Sequence, residues 1–579
     1  MNKLTKLACL SLFLLFSASI SSAAPKDYRY TTVPNDPLKA RIYTLDNGLK
    51  VYMTVNKETP RIQTYIAVRV GGKNDPAETT GLAHYFEHLM FKGTTHFGTQ
   101  NYEAERPLLD RIEQQFEVYR KTTDGAQRKA IYHVIDSLSY EASKYAIPNE
   151  YDKLMAAIGA NGTNAYTSFD VTCYTEDIPS NQVENWAKIQ ADRFKNSIIR
   201  GFHTELETVY EEKNMSLTSD GRKVYEAVLT ALFMSLTQDP RKVSETMLAA
   251  LFPHHPYGTQ TVLGTQDDLK NPSITNIKNY YKTWYVPNNM AICLSGDFNP
   301  DEMIATIDKY FGDMKPNPNL PKLTVKPETP ITEPIVREVL GPDAESVTLA
   351  WRFPGSASKE YETLQIVSQI MNNGKAGLMD INLNQQQKVL GAYAYVYNLS
   401  DYCAFIMQGR TKEGQTLDEV KDLFLGEIAK LKSGDFDENM LQANINNFKK
   451  YQIQQLEYNS IRADMFVQSF VNGTDWTDEV TALERMSKLT KADIVAFANK
   501  YFTDSNYAII YKKTGKDPNE KKISKPEITP IVMNRDAASN FLKEVQGSKV
   551  QPIEPVFIDY NKDMDQFAWN KDVPVLYKQ

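Results

Sequence analysis

Residues 81–94 read GLAHYFEHLMFKGT, and the reading of that stretch decides what the chain is. His84 and His88 stand four apart, with Glu87 beside the second. On a helix, positions i and i+4 share a face and i+3 lies next to them, so both imidazoles and the carboxylate point into one small volume. Two neutral imidazoles suit a zinc ion, and a carboxylate that is not a ligand can take a proton from water activated there. The order is H-x-x-E-H, the reverse of the H-E-x-x-H helix of other zinc proteases. Three positions also match by chance, and the plain alternative is two surface histidines and a solvated glutamate on an amphipathic helix.

Upstream, residues 41–55 (RIYTLDNGLKVYMTV) set Asn47-Gly48 between two alternating runs, which predicts a β-hairpin. A strand over 62–70 ends at Gly71-Gly72, so the motif helix follows a polar turn and packs over a sheet. Downstream, over 103–158, apolar residues recur at helical spacing (Leu108, Leu109, Ile112, Phe116, then Ile131, Val134, Ile135, Leu138) around a turn at Thr122–Gly125. This predicts a long helical hairpin. Residues 161–174 (NGTNAYTSFDVTCY) alternate and are rich in Thr, Tyr and Val, which predicts a strand. Helices are expected over 182–198 and 202–218. The second carries Glu205 and Glu212, seven apart and so on one face.

The C-terminal half echoes the first. Residues 274–295 match 491–512 at a constant offset of 217: Ile277 pairs with Ile494, Trp284 with Tyr501, Asn289 with Asn506. Two unrelated helix-then-strand units could coincide, but the match reads better as two related α+β domains, over 25–320 and 335–515, joined by the Pro-rich stretch 315–334. All seven histidines lie at or before His255, so a His-based metal site belongs to the first domain alone. Residues 516–579, with several prolines, read as a tail or the start of a further domain.

The chain of 579 residues, 42% hydrophobic and 24% charged, can bury a sizeable core. Its formal charge of −7 without a basic block argues against nucleic acid or anionic lipid as the main partner. Residues 1–24 read as a secretory signal peptide: Lys3 and Lys6, an apolar run, then small residues around Ala23. The run is too short to span a bilayer, and no later stretch is long enough. The expected location is therefore periplasmic or secreted. Cys173, Cys293 and Cys403, odd in number and far apart, suggest small core residues rather than a disulfide framework.

Taken in order, GLAHYFEHLMFKGT, NGTNAYTSFDVTCY, ELETVYEEKNMS and HPYG, followed by YVPNNMAICLSGDF and the duplication, the chain resembles the pitrilysin/insulinase family of zinc peptidases over nearly all its length past residue 42. The resemblance implies an α+β fold of two homologous α/β-roll domains, each a mostly antiparallel sheet covered by helices. It implies one Zn²⁺ per chain on His84, His88 and Glu212, with Glu87 as general base and Glu205 orienting a ligand histidine. It also implies a peptide bound as an added strand along Asn164, Ala165, Tyr166 and Thr167.

Two departures stand out. The interval from His88 to Glu212 is long, the helical insertion accounting for the surplus, and the insertion is expected beside the mouth of the site. Where the family grips substrate with an Arg and a Tyr of a zinc-free domain, Tyr393 stands at the Tyr position and Asn384 at that of the Arg. Family members close a chamber from four such domains, and this chain supplies two. The expected function is an exported zinc endopeptidase acting on short or unfolded peptides, completed by a zinc-free partner chain or a second copy. The alternative is a binding or assembly subunit that cleaves little.

Overall fold

A computed structural model describes residues 26–218, 238–518, 528–554, 557 and 559–578. The expected signal peptide lies outside the described residues. The first sheet takes β1 (Tyr30–Thr31), β2 (Arg41–Thr44), β3 (Lys50–Val55), β4 (Arg61–Val68), β5 (Asn161–Thr167), β6 (Thr172–Pro179) and β7 (Met290–Gly296). The Asn47-Gly48 turn closes the β2–β3 hairpin with Gly48 at φ +88°, a conformation glycine adopts without penalty. The strand order is β1-β2-β3-β7-β4-β6-β5, antiparallel except for the β3–β7 pair. β5 therefore ends the sheet.

The second sheet takes β8 (Ile335–Gly341), β9 (Ser346–Pro354), β10 (Gly391–Asn398), β11 (Tyr402–Arg410) and β12 (Tyr507–Thr514), in the order β10-β11-β9-β12-β8 with β8–β12 parallel. Read from the parallel pair outward, β8-β12-β9-β11-β10 repeats β3-β7-β4-β6-β5. The offset of 217 carries helix Ile274–Trp284 onto Lys491–Tyr501, both ends included. Ser273 and Thr490 cap the two helices alike, and the Nδ2 of Asn289 and Asn506 donate to the carbonyls of Trp284 and Tyr501 at 3.0 and 2.8 Å. Mixed α+β architecture and duplication are both present.

Each domain lends the other a helix. Gln238–Leu251 of the first packs on β8, β9 and β12 of the second, and Asn459–Asn472 of the second packs on β3, β4 and β7 of the first. Phe466 stacks on Tyr52, with ring centroids 5.6 Å apart, and Trp476 Nε1 donates to Asp36 at 2.8 Å. Cys173 and Cys293 are buried in this apolar layer, and Cys403 in the core of the second domain. Lys73 pairs with Asp170 at 2.6 Å and with Asp401 of the second domain at 2.8 Å. The HPYG stretch joins the same seam, Tyr257 donating to Asp170 at 2.7 Å and accepting from the Asp401 amide.

Two readings need correction. Residues 161–174 are not one strand. Ser168 turns the chain, its amide donating to Val171 O and its Oγ accepting from the amides of Asp170 and Val171, so the stretch spans β5, a turn and the start of β6. The insertion has its helical hairpin, Tyr102–Lys121 packed on Gly125–Ser143, but the expected range also holds a third helix, Glu150–Ala157, set off because Pro148 bars helix at Ile147 and Asn149 turns at φ +55°. Its long helices pack on the first domain's core through Ile112, Phe116, Ile135 and Leu138. Of the insertion, Glu150–Ala157 lies against the edge strand β5, which also packs on the helix Leu82–Leu89.

The tail folds back over the first domain. Thr529 bonds Asp136, Asn534 Nδ2 reaches the carbonyls of Ser143, Lys144 and Ala146, and the Ser539 amide donates to Glu150. The helix Asn540–Gln546 then buries Leu542 and Val545 in that domain's core.

Candidate active site

The motif helix, Leu82–Leu89, is fixed at both ends before any chemistry is considered. Asp75 accepts from the amides of Gly81, Leu82 and Ala83 at 2.8, 3.1 and 2.9 Å, supplying an acidic cap to the positive end of the helix. Gly81 sits at φ +82°, where a Cβ would fall 2.7 Å from the Gly264 backbone. At the other end Arg193 Nε donates to Met90 O at 3.0 Å, its guanidinium lying on Phe91, Tyr151 and Tyr174. Leu82, Tyr85, Phe86 and Leu89 bury the inner face.

The outer face carries His84 and His88, whose Nε2 atoms lie 3.3 Å apart. Glu212 Oε2, on the helix Phe202–Thr218, is 3.6 Å from His84 Nε2 and 3.5 Å from His88 Nε2. Bonds of roughly 2.0–2.2 Å in a tetrahedral site set donors about 3.3–3.5 Å apart. Three donors at 3.3, 3.5 and 3.6 Å fit one such ion, with a fourth position left over. Among the described residues this is the group of His, Cys and acidic side chains that could hold a metal.

Glu205 does not join the three. Its Oε1 lies 2.9 Å from His88 Nδ1, and its Oε2 pairs with Lys92 Nζ. Burial would raise its pKa, but His88 and Lys92 outweigh burial and hold it below the ordinary carboxylate range. A charged Glu205 accepts a hydrogen bond from Nδ1–H, which keeps the proton on that nitrogen and leaves the Nε2 lone pair facing the other donors. Glu87, 8% exposed, moves the other way: burial, with Glu212 adding to it, raises its pKa against the pull of His88 and Thr167. A carboxylate raised toward neutrality suits proton transfer. Thr167 Oγ1 donates to Glu87 Oε2 at 2.5 Å.

Thr167 belongs to β5, so the edge strand touches the base directly. Asn164, Ala165 and Tyr166 precede it on that strand, which pairs with β6 along one side only. Tyr393 lies on β10, the matching edge of the second sheet, 46% exposed, its hydroxyl turned to Gln408. The amide of Asn384 is spent on backbone: Nδ2 donates to Ala392 O at 2.7 Å and Oδ1 accepts from Ala392 N at 2.9 Å. It braces β10. Lys92, Asp75 and the hydroxyl of Thr167 as a partner of Glu87 escape sequence reasoning. Lys92 alone offers a signal, four residues past His88.

Two family profiles match the chain: Insulinase (Peptidase family M16) over residues 50–109 and Peptidase M16 inactive domain over 273–448. The first match spans His84, Glu87 and His88. Over both matched segments the chain is similar to peptidase family M16. Its relatives include the zinc protease PqqE of Helicobacter pylori, 22% identical over 81% of this chain and 92% of that protein. The mouse insulin-degrading enzyme is 22% identical over 53% of this chain and 24% of its own length. The structure of a protease from Helicobacter pylori superposes with a TM-score of 0.64 at 21% identity, over 85% of this chain and all of that one. The first half of the periplasmic protease PqqL from Escherichia coli gives 0.57 at 16% identity over 91% of this chain and all of that half. Against the longer PqqL structure the TM-score is 0.58 at 15% identity, over 94% of this chain and 55% of that one. These structures share the M16 fold. No helix among the described residues is long and apolar enough to cross a membrane.

Proposed function

We propose that the chain is an exported zinc-dependent endopeptidase acting on short or unfolded peptides. The observation that carries this is the triangle of His84, His88 and Glu212 donors at zinc-ligand spacing with Glu87 buried alongside. A zinc ion held there supplies a Lewis acid that polarises the scissile carbonyl and acidifies water. The chain's own residues do the rest. Glu87 takes the proton from the attacking water and passes it to the leaving amine, while Thr167 holds the Oε2 side of that carboxylate. Glu205 fixes the tautomer of His88. The open edge of β5, Asn164 to Thr167, receives the peptide as an added strand. Backbone pairing then supplies affinity with little side-chain selection.

The chain works with a second half, a zinc-free partner chain or a second copy, that closes a chamber over the site. The 55% coverage of PqqL supports a chain that is one half of such an assembly. Asn384 favours a second reading. With its amide committed to Ala392, that position offers no cation to a substrate carboxylate, as a binding subunit of weak activity would allow.

Cleavage of a quenched fluorescent peptide library, with and without chelator and beside Glu87→Gln, tests the proposal. Chelator-sensitive cleavage that vanishes in the variant supports it. A zinc-loaded chain that cleaves nothing, alone or with its partner half, moves the binding reading to the front.

A further inference from the structure

Lys92 lies just past the motif helix, in a loop that the rest of the domain holds firmly. Arg200 Nη1 donates to the carbonyl of Lys92 itself at 2.9 Å and Nη2 to that of Thr94 at 3.1 Å. Arg200 is in turn clamped by Glu105, at 2.6 and 2.9 Å, in a buried bidentate pair. Glu105 comes from the first insertion helix, so the insertion reaches the motif loop through one arginine. The ammonium of Lys92 then meets Glu205 Oε2, while Oε1 of the same carboxylate faces His88 Nδ1.

We infer that Lys92 is a positioning residue for the metal site, holding Glu205 turned toward His88 so that His88 presents Nε2 to the ion. The inference rests on the zinc reading of His84, His88 and Glu212 given above. Two physical effects pull in opposite directions, and that makes it decidable. By charge alone, a cation near a metal site weakens metal binding, and deleting Lys92 would tighten it. By orientation, an unanchored Glu205, with a long flexible side chain, loses its fixed hold on the imidazole. Outer partners of ligating histidines carry about 10–100-fold in metal affinity. With Lys92 paired to Glu205, its charge is largely neutralised there, and orientation dominates.

The test is the zinc dissociation constant of the full chain by chelator competition, read without any peptidase assay. Lys92→Met raises that constant about ten-fold, and Lys92→Arg, which keeps the charge and the reach, restores most of the loss. In a Glu205→Gln background Lys92→Met changes little, since the effect passes through Glu205. Unchanged or tighter zinc binding in Lys92→Met overturns the inference. So does an equal loss in the Glu205→Gln background, or a fall in the melting temperature of the zinc-free protein with no change in zinc affinity. A wild-type chain that takes up no zinc overturns the metal reading itself, whereas normal uptake with an indifferent Lys92→Met sinks only this step.

Discussion

The two domains repeat one scaffold and differ in what it carries. Both run five strands in the same order around one parallel pair, and both brace the helix-to-strand turn with an asparagine bonded to the same carbonyl. Both place a helix of 17 residues ahead of the helix they lend to the other domain, Phe202–Thr218 in the first and Asn439–Gln455 in the second. The first of these holds Glu205, Glu207, Glu211 and Glu212, while the second holds no acidic residue and no histidine. The fold survives without the acidic cluster because caps, core and the exchanged helices hold it. Buried carboxylates such as Glu205 cost desolvation and repel one another, so a copy with no use for them is better without them.

The comparison breaks most sharply at the base. Glu87→Gln lowers kcat by roughly 10²–10⁴-fold with zinc content unchanged, measured on a fluorogenic peptide; activity within a few-fold of wild type would remove Glu87 from the chemistry. The exchanged helices give the next effect. Lys512 of the second domain and Asp239 of the first, 2% and 3% exposed, pair at 2.7 Å. Lys512→Met strands a buried carboxylate and costs about 3–5 kcal/mol in urea unfolding. A loss below 1 kcal/mol would mean that water reaches this seam.

Thr167→Val lowers kcat roughly ten-fold at constant zinc, through the lost bond to a charged acceptor, and Thr167→Ser recovers it; failure of Ser to recover it would leave packing as the cause. Asn289→Ala and Asn506→Ala, cut at matching bonds, each cost about 1 kcal/mol. Clearly unequal losses would show that the repeats no longer bear their turns alike. The smallest effect is one of pH. Burial would raise the pKa of Asp401, but His255 and Lys73 outweigh it and hold the carboxyl well below the ordinary range. A folded pKa below the unfolded value near ~3.9 adds stability above that pH, and the gain is lost as pH falls below about 4. With the side chain 43% exposed, the gain stays under about 1 kcal/mol. Asp401→Asn should flatten the acid limb of a melting-temperature profile; an unaltered limb would assign acid loss elsewhere.

The H-x-x-E-H helix was legible because spacing is a local property of a chain, and the duplication because the two copies keep one offset; Glu212 came to the site through the family resemblance alone. The turn at Ser168 was not, since a serine inside an alternating Thr- and Tyr-rich run looks like strand until its hydroxyl finds two amides. Asn384 could be placed by resemblance, but its use as a brace depends on β10 lying beside it. Asp75 escaped because its partners are backbone amides, which leave no trace in composition; Arg200 escaped because its carboxylate partner, Glu105, lies far away along the chain.

The tail also sets an order in time. Leu542 and Val545 complete a core whose other members were synthesised hundreds of residues earlier, and Asn534 and Ser539 tie down helices that flank the motif loop. The domain with the H-x-x-E-H helix therefore waits for synthesis past residue 545 to be finished, while the domain without it closes its sheet at β12. A chain cut short before this clasp lacks the last piece of the core beneath its H-x-x-E-H helix, so an interrupted synthesis leaves that domain unfinished.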